Sequence, residues 1–212
     1  MAAPVVERHS PLTTRQWRVA ILLLVAYVAA MRVTAAYFSA PGLIFPAAGI
    51  ALGALFLEGF VLWPFILAAA ALGYILNGST LVMIVLMPII HLLQALAGAW
   101  CLKKLRLDPL FRKPSDVFVF LIVSFVASAI VPTLGMLVRE LNAYVYGVPP
   151  SGVTWISWYV AILASLVIVG PFIIRWFAKP HFTRTPQQWI EIAVTLTFLS
   201  SLSYLIFWTN TG

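Results

Sequence analysis

The sequence predicts an all-α fold: a polytopic transmembrane helical bundle of about seven spans with a cytoplasmic amino terminus. Three observations carry this expectation. The first is composition: 63% of the 212 residues are hydrophobic, 9% are charged, and the mean hydropathy is +1.03. A soluble domain carries about 25% charged residues, and one core of this size could not hide so much apolar surface from water. The second is the length of the apolar runs, since a bilayer crossing needs roughly 20 helical residues. The third is the placement of Lys and Arg between those runs rather than on one face.

Taken in order, the runs fall at about 17–40, 42–58, 61–77, 80–102, 116–138, 155–178 and 189–209. The stretch Val19–Phe38 in the first is longer than the roughly 7–15 apolar residues of a cleaved signal peptide, so it reads as a retained span. The second and third runs are separated by Glu58-Gly59-Phe60 alone. One helix over both would reach about 54 Å, against a hydrocarbon core of ~30 Å. Glu58, Gly59 and Trp63-Pro64 therefore predict a tight hairpin. Met87-Pro88 lies inside the fourth run, which ends on Lys103-Lys104. Between the fifth and sixth, Arg139–Thr154 reads as the longest outer loop, with Tyr144, Tyr146 and Pro149-Pro150 in it. The seventh run leaves the carboxyl terminus outside at Trp208–Gly212, so a cytoplasmic output domain would require a further span. No linker, low-complexity tract or internal repeat divides residues 1–212, which read as a single domain.

Orientation follows from the basic residues. With the amino terminus inside, Arg8, Arg15, Arg18, Lys103, Lys104, Arg106, Arg112, Lys113, Arg175, Lys179 and Arg184 are cytoplasmic, 11 of the 13 Lys and Arg. Arg139 falls outside and Arg32 within the first span. Short loops of inner-membrane proteins show this bias, so a multi-pass protein of the bacterial inner membrane is expected. The same distribution explains the net charge of +7 without nucleic acid, whose recognition needs basic residues gathered on a soluble face.

Several chemistries are excluded. No GxxxxGK[ST] phosphate loop is present, and no Ser, His and Asp set stands out for nucleophilic catalysis. Cys101 is the single cysteine, which rules out an internal disulfide or a Cys-rich metal site. Of three histidines, His9 and His181 belong to cytoplasmic segments, leaving His91 alone within a span, too few for a bis-histidine haem. No enzyme activity, metal or cofactor is expected.

Three polar residues at membrane depth are the candidate ligand or signal residues: His91, Gln94 and Arg32. His91 lies near the middle of the fourth span, and Gln94 follows at i+3 on one helix face. Polar side chains at that depth face other helices or a cavity rather than lipid. They serve either as interhelical hydrogen-bond glue or as a site, and Arg32 could snorkel outward or line an outward cavity above the other two. Elsewhere, Gly49-Ile50-Ala51-Leu52-Gly53 matches GxxxG, a close-packing signal. Trp63, Trp155, Trp158 and Trp176 fall near span ends, where aromatic rings anchor at the interface, and Glu58 and Glu191 lie near cytoplasmic ends.

Phe45-Pro46-Ala47-Ala48-Gly49-Ile50-Ala51-Leu52, followed by Trp63-Pro64, resembles the opening of the first class of bacterial membrane-associated sensor domains. Asn77, the segment Gln94–Ala99 with Lys103-Lys104, Asp116-Val117, and Trp155, Trp158 and Pro171 are similar to later motifs of that family, so the resemblance covers most of residues 17–205. The chain departs from the pattern at Ala161-Ile162, where the family carries Gly-Asp, and at Ser165, where it carries Gly. The resemblance implies a sensory and scaffolding module. It would pass a stimulus to a histidine kinase, diguanylate cyclase or cyclic-di-GMP phosphodiesterase output domain absent from this chain. Its partners would be the lipid bilayer, that output domain or a signalling protein, and a second copy in a homodimer. The alternative is a small-molecule transporter or its substrate-binding membrane subunit, for which Pro88, Pro132 and Pro171 supply candidate helix breaks. A weaker third reading is an accessory subunit of a larger complex.

Overall fold

The computed structural model describes residues 13–37, 44–147 and 152–178. The run 189–209, with Glu191, lies outside the described residues, as do His9 and His181. The elements are α1 (Thr14–Tyr37), α2 (Pro46–Glu58), a single 3-10 turn (Phe60–Leu62), α3 (Trp63–Leu76), α4 (Leu81–Lys104), α5 (Pro114–Ala127), α6 (Ile130–Tyr146) and α7 (Trp155–Ala178). No strand occurs among the described residues. Four helical stretches are long and apolar enough to cross a membrane: α1, α4, α5 with α6, and α7.

The expected break between α2 and α3 forms, but the two do not pack on each other as a tight hairpin: α3 lies against α1 and α4 instead. Pro46 and Pro64 sit in the first turns of these helices, where a missing N–H costs nothing. Gly59 separates them at φ +95°, a conformation that disfavours any residue with a Cβ. Both helices are short, with 13 and 14 residues, so each rises about 20 Å. The Arg15 guanidinium pairs with Glu58 at 2.5 Å, and Lys103 lies 4.9 Å from the Phe60 ring centroid. The start of α1, the α2–α3 junction and the end of α4 therefore share one end of the bundle, here called the basic end. Glu58 is an ion-pair partner with a largely buried side chain. At the opposite end Arg32 reaches Asn77, and the Thr80 hydroxyl donates to the Asn142 side-chain oxygen.

The central element is α2, whose residues Ala47–Phe56 are all buried apart from the half-buried Ile50. It packs on α1, α4 and α7, while α3 fills the space between α1 and α4, and α5 and α6 fill that between α4 and α7. The GxxxG segment makes the closest approach. A Cβ built on Gly49 would stand 2.6 Å from the Ser165 carbonyl oxygen, and one on Gly53 would stand 2.6 Å from Ile173. The buried start of α2 has no water to satisfy it, so α7 does so. The Phe45 N–H donates to the Ala161 carbonyl oxygen at 3.4 Å, and the Gly49 N–H donates to Ser165 Oγ at 3.1 Å.

Two further expectations need correction. The fifth run is not one uniform helix. Pro132 cannot donate to the Ser128 carbonyl and its ring crowds that group, so α5 stops at Ala127 and α6 begins at Ile130. Nor is Arg139–Thr154 a loop throughout. The helix runs on through Tyr146 and closes on Gly147 in the left-handed region, so Arg139 is a helical residue. The Arg139 guanidinium lies 5.9 Å from the Trp158 ring centroid and donates to the Val153 carbonyl oxygen at 3.3 Å. Trp158 in turn is half-buried. Its ring lies against Gly135, and a Cβ there would meet it at 2.7 Å.

Candidate functional site

His91 is the centre of a set of ring and polar contacts in the bundle interior. It sits ten residues after Leu81, about 15 Å down α4, and is 3% exposed. The Phe45 ring stacks on it at 4.9 Å between centroids with planes 16° apart. Tyr74, on α3, brings its hydroxyl within 3.1 Å of His91 Nε2. The two meet although Tyr74 lies close to the end of its own helix. Side chains on a helix lean toward its amino terminus, and α3 and α4 run in opposite directions, so the two lean toward one another across the interface. Three elements thus converge on one imidazole: the entry to α2, the last turns of α3 and the middle of α4.

Polar atoms of the interior, His91 Nδ1 among them, remain open. Among the described residues, His91 Nδ1, both polar atoms of the Gln94 amide, the Tyr27 hydroxyl and Ser124 Oγ are buried with no hydrogen-bond partner. Gln94 is 1% exposed, and Tyr27 is fully buried on α1. A buried polar group left unmatched costs about 1–3 kcal/mol. The comparison with Ser165 is instructive, because that equally buried hydroxyl accepts from the Gly49 N–H.

No family model, curated protein or solved structure matches this chain. The site is therefore read from its own chemistry.

The Tyr74–His91 contact is a pair in which either side can hold the shared proton. Tyr74 can donate to Nε2, which places the ring N–H on Nδ1. Alternatively Nε2–H donates to the phenolic oxygen, which leaves a lone pair on Nδ1. Whatever meets Nδ1 decides between the two: an acceptor selects the first and a donor the second. The Tyr74–His91 pair can bind and relay a proton. Among the described residues no three His, Cys, Asp or Glu side chains gather as a metal site.

Of the sequence-derived candidates, His91 and Gln94 are both deep in the bundle, on one helix. Arg32 is not with them. It is exposed, and it donates to the Leu76 carbonyl oxygen at 2.7 Å and to Asn77 Oδ1 at 2.9 Å. It therefore caps the carboxyl end of α3 instead of lining a cavity above His91. Yet the same last turn of α3 carries Tyr74, so α1 and α4 both grip it, one from each side. Sequence reasoning missed Tyr27, Phe45 and Tyr74. A signal was available for the tyrosines, since a phenol in the interior of an apolar run needs a partner.

Proposed function

We propose that this chain is the membrane-embedded sensory and scaffolding module of a bacterial signalling protein. It would be of the kind that the first class of membrane-associated sensor domains supplies to histidine kinases and cyclic-di-GMP enzymes. In this reading it sits in the inner membrane with a cytoplasmic amino terminus, and the two short helices and the run 189–209 complete seven spans. It works on a cytoplasmic output domain or signalling partner, as a monomer or homodimer, and catalyses nothing itself.

The observation that carries this reading is the unmatched Nδ1 of His91 beside a matched Nε2. Structural glue would be satisfied on both sides. An imidazole held on one side, and unmatched on the other among the described residues, can act as a two-state element, and a stimulus shifts such an element only through different affinity for its two states. The last turn of α3, tied to His91 through Tyr74 and to α1 through Arg32, is the segment that would move. A reporter assay in the full-length signalling protein, normalised to folded membrane protein, tests this with His91→Gln and Tyr74→Phe. Changed output per folded molecule is expected, and unchanged output in both variants leaves His91 as glue.

One feature favours the transporter reading. α2 begins below the ends of its neighbours, because Phe45 pairs with Ala161, six residues into α7, about 9 Å down. Short helices that start at depth are a transporter trait. Substrate-dependent uptake into vesicles containing this protein alone would favour it.

A further inference from the structure

The helices around α2 leave an opening. α1 and α7 both pack on α2, but between α1 and α7 lies an apolar groove of about 160 Å³ with α2 as its floor. Its walls include Val19, Leu22 and Ala26 of α1 and Ile173 of α7, and its floor Ile50 and Ala54. Glu58 closes it at the basic end. Arg15, Val19, Leu22 and Ala26 follow one stripe of α1 at helical spacing, so an arginine heads the stripe that forms the wall. Arg15 is committed to Glu58. Arg18, one turn on from Arg15 and one turn before Leu22, is exposed and makes no ion pair among the described residues. The rim thus carries one acidic and two basic side chains, a net positive charge above an apolar slot.

We propose that this groove binds an anionic phospholipid. One acyl chain lies along Val19, Leu22 and Ala26 on the α2 floor, and the phosphate meets Arg18 at the rim. Charge complementarity selects this occupant. The slot itself offers an apolar chain everything it needs, and the unpaired guanidinium at headgroup level gives a phosphate a charge-assisted, bidentate partner. A cation near the membrane surface favours an anionic headgroup by about five-fold in affinity. The site is independent of the His91 cluster and requires only that the helices lie in a bilayer.

The test is binding of phosphatidylglycerol and phosphatidylcholine with identical chains to the delipidated protein in detergent. It is read by native mass spectrometry and by the shift in melting temperature. The intact protein should prefer phosphatidylglycerol by about five-fold. Arg18→Gln should abolish that preference while retaining lipid. Leu22→Trp, at a position 64% exposed and therefore tolerant of size, should fill the slot and release both lipids. Leu137→Trp, similarly exposed on α6, controls for the added ring and should bind like the parent. Equal binding of the two lipids by the parent overturns the proposal. So does a preference that survives Arg18→Gln, or full retention in Leu22→Trp. Absence of any bound lipid also overturns it, and would mean that the groove is filled by something other than an acyl chain.

Discussion

The hydroxyl of Tyr74 stands 3.1 Å from Nε2 of His91, joining the end of α3 to the middle of α4. That contact predicts a measurable coupling. In a double-mutant cycle with Tyr74→Phe and His91→Ala, thermal unfolding in nanodiscs should give about 0.6–1.7 kcal/mol of interaction, the range for such bonds in membrane bundles. Additive effects of the two changes would mean that the bond contributes nothing to stability.

Gln94 carries the opposite expectation. Its amide is buried and unmatched among the described residues, so Gln94→Leu removes a desolvation cost and keeps most of the volume. The variant should melt at or above the parent, with a gain of about 1 kcal/mol. A loss of similar size would show that the amide is bonded in the membrane, to water or to a ligand.

The approach of α2 to α7 leaves no room for a side chain. Gly49→Leu should cost about 3 kcal/mol or more, because the Ser165 carbonyl and the Gly170 backbone are where the new atoms would go. Gly78→Asn should cost far less, since no atom lies within 4 Å of its Cβ position and Asn tolerates φ +69°. Yield of monodisperse protein and melting temperature would rank the two.

Topology can be read by labelling. In a Cys101→Ser background, an impermeant thiol reagent added to intact cells should modify Tyr144→Cys, at a position 88% exposed, and spare Ser115→Cys. The reverse pattern would invert every loop at once.

A pH effect is expected at the turn between α4 and α5. The side-chain hydrogen bond from Arg112, then the Leu110 N–H, hold the Asp108 carboxyl below its usual range. A depressed folded value means that the stabilisation is present above the unfolded carboxylate pKa of about 3.9 and fades as pH falls through the lower folded value. Asp108→Asn should lower stability slightly at neutral pH, as suits an exposed pair, and the difference from the parent should vanish as pH falls below about 4. An identical acid limb in the variant would assign acid sensitivity to other carboxylates.

Much of the architecture was legible because membrane helices obey a one-dimensional rule, length against bilayer thickness. The run 155–178 coincides with α7 at both ends, and Gly59 marks the α2–α3 break because no other residue suits that backbone. The α5–α6 break was written in Pro132, but apolar character is blind to it. The end of α6 was misjudged because Arg139-Glu140 stops an apolar run without stopping a helix. Within the site, the depth of His91 and Gln94 followed from counting residues. Their partners did not, since Tyr74, Phe45 and the Arg32–Asn77 cap depend on which helices are neighbours, and no periodicity within one helix encodes that. A charge near a span end also satisfied two readings equally. For Arg32 the free carbonyls at the end of α3 decided between them.

The shortness of α2 and α3 bears on how the protein is made. A segment that stands alone in hydrocarbon takes about 17–25 helical residues, and these have 13 and 14. α2 falls short of that, α3 reaches it only with the turn before it, Phe60–Leu76, and the phenol of Tyr74 has no imidazole to meet until His91 has been synthesised. Part of what holds α3 therefore comes only with α4, whose Lys103 also completes the contact with Phe60. A chain ending at Thr80 lacks the partners of Tyr74 and Phe60, and it is the second of the four long helices, α4, that brings both.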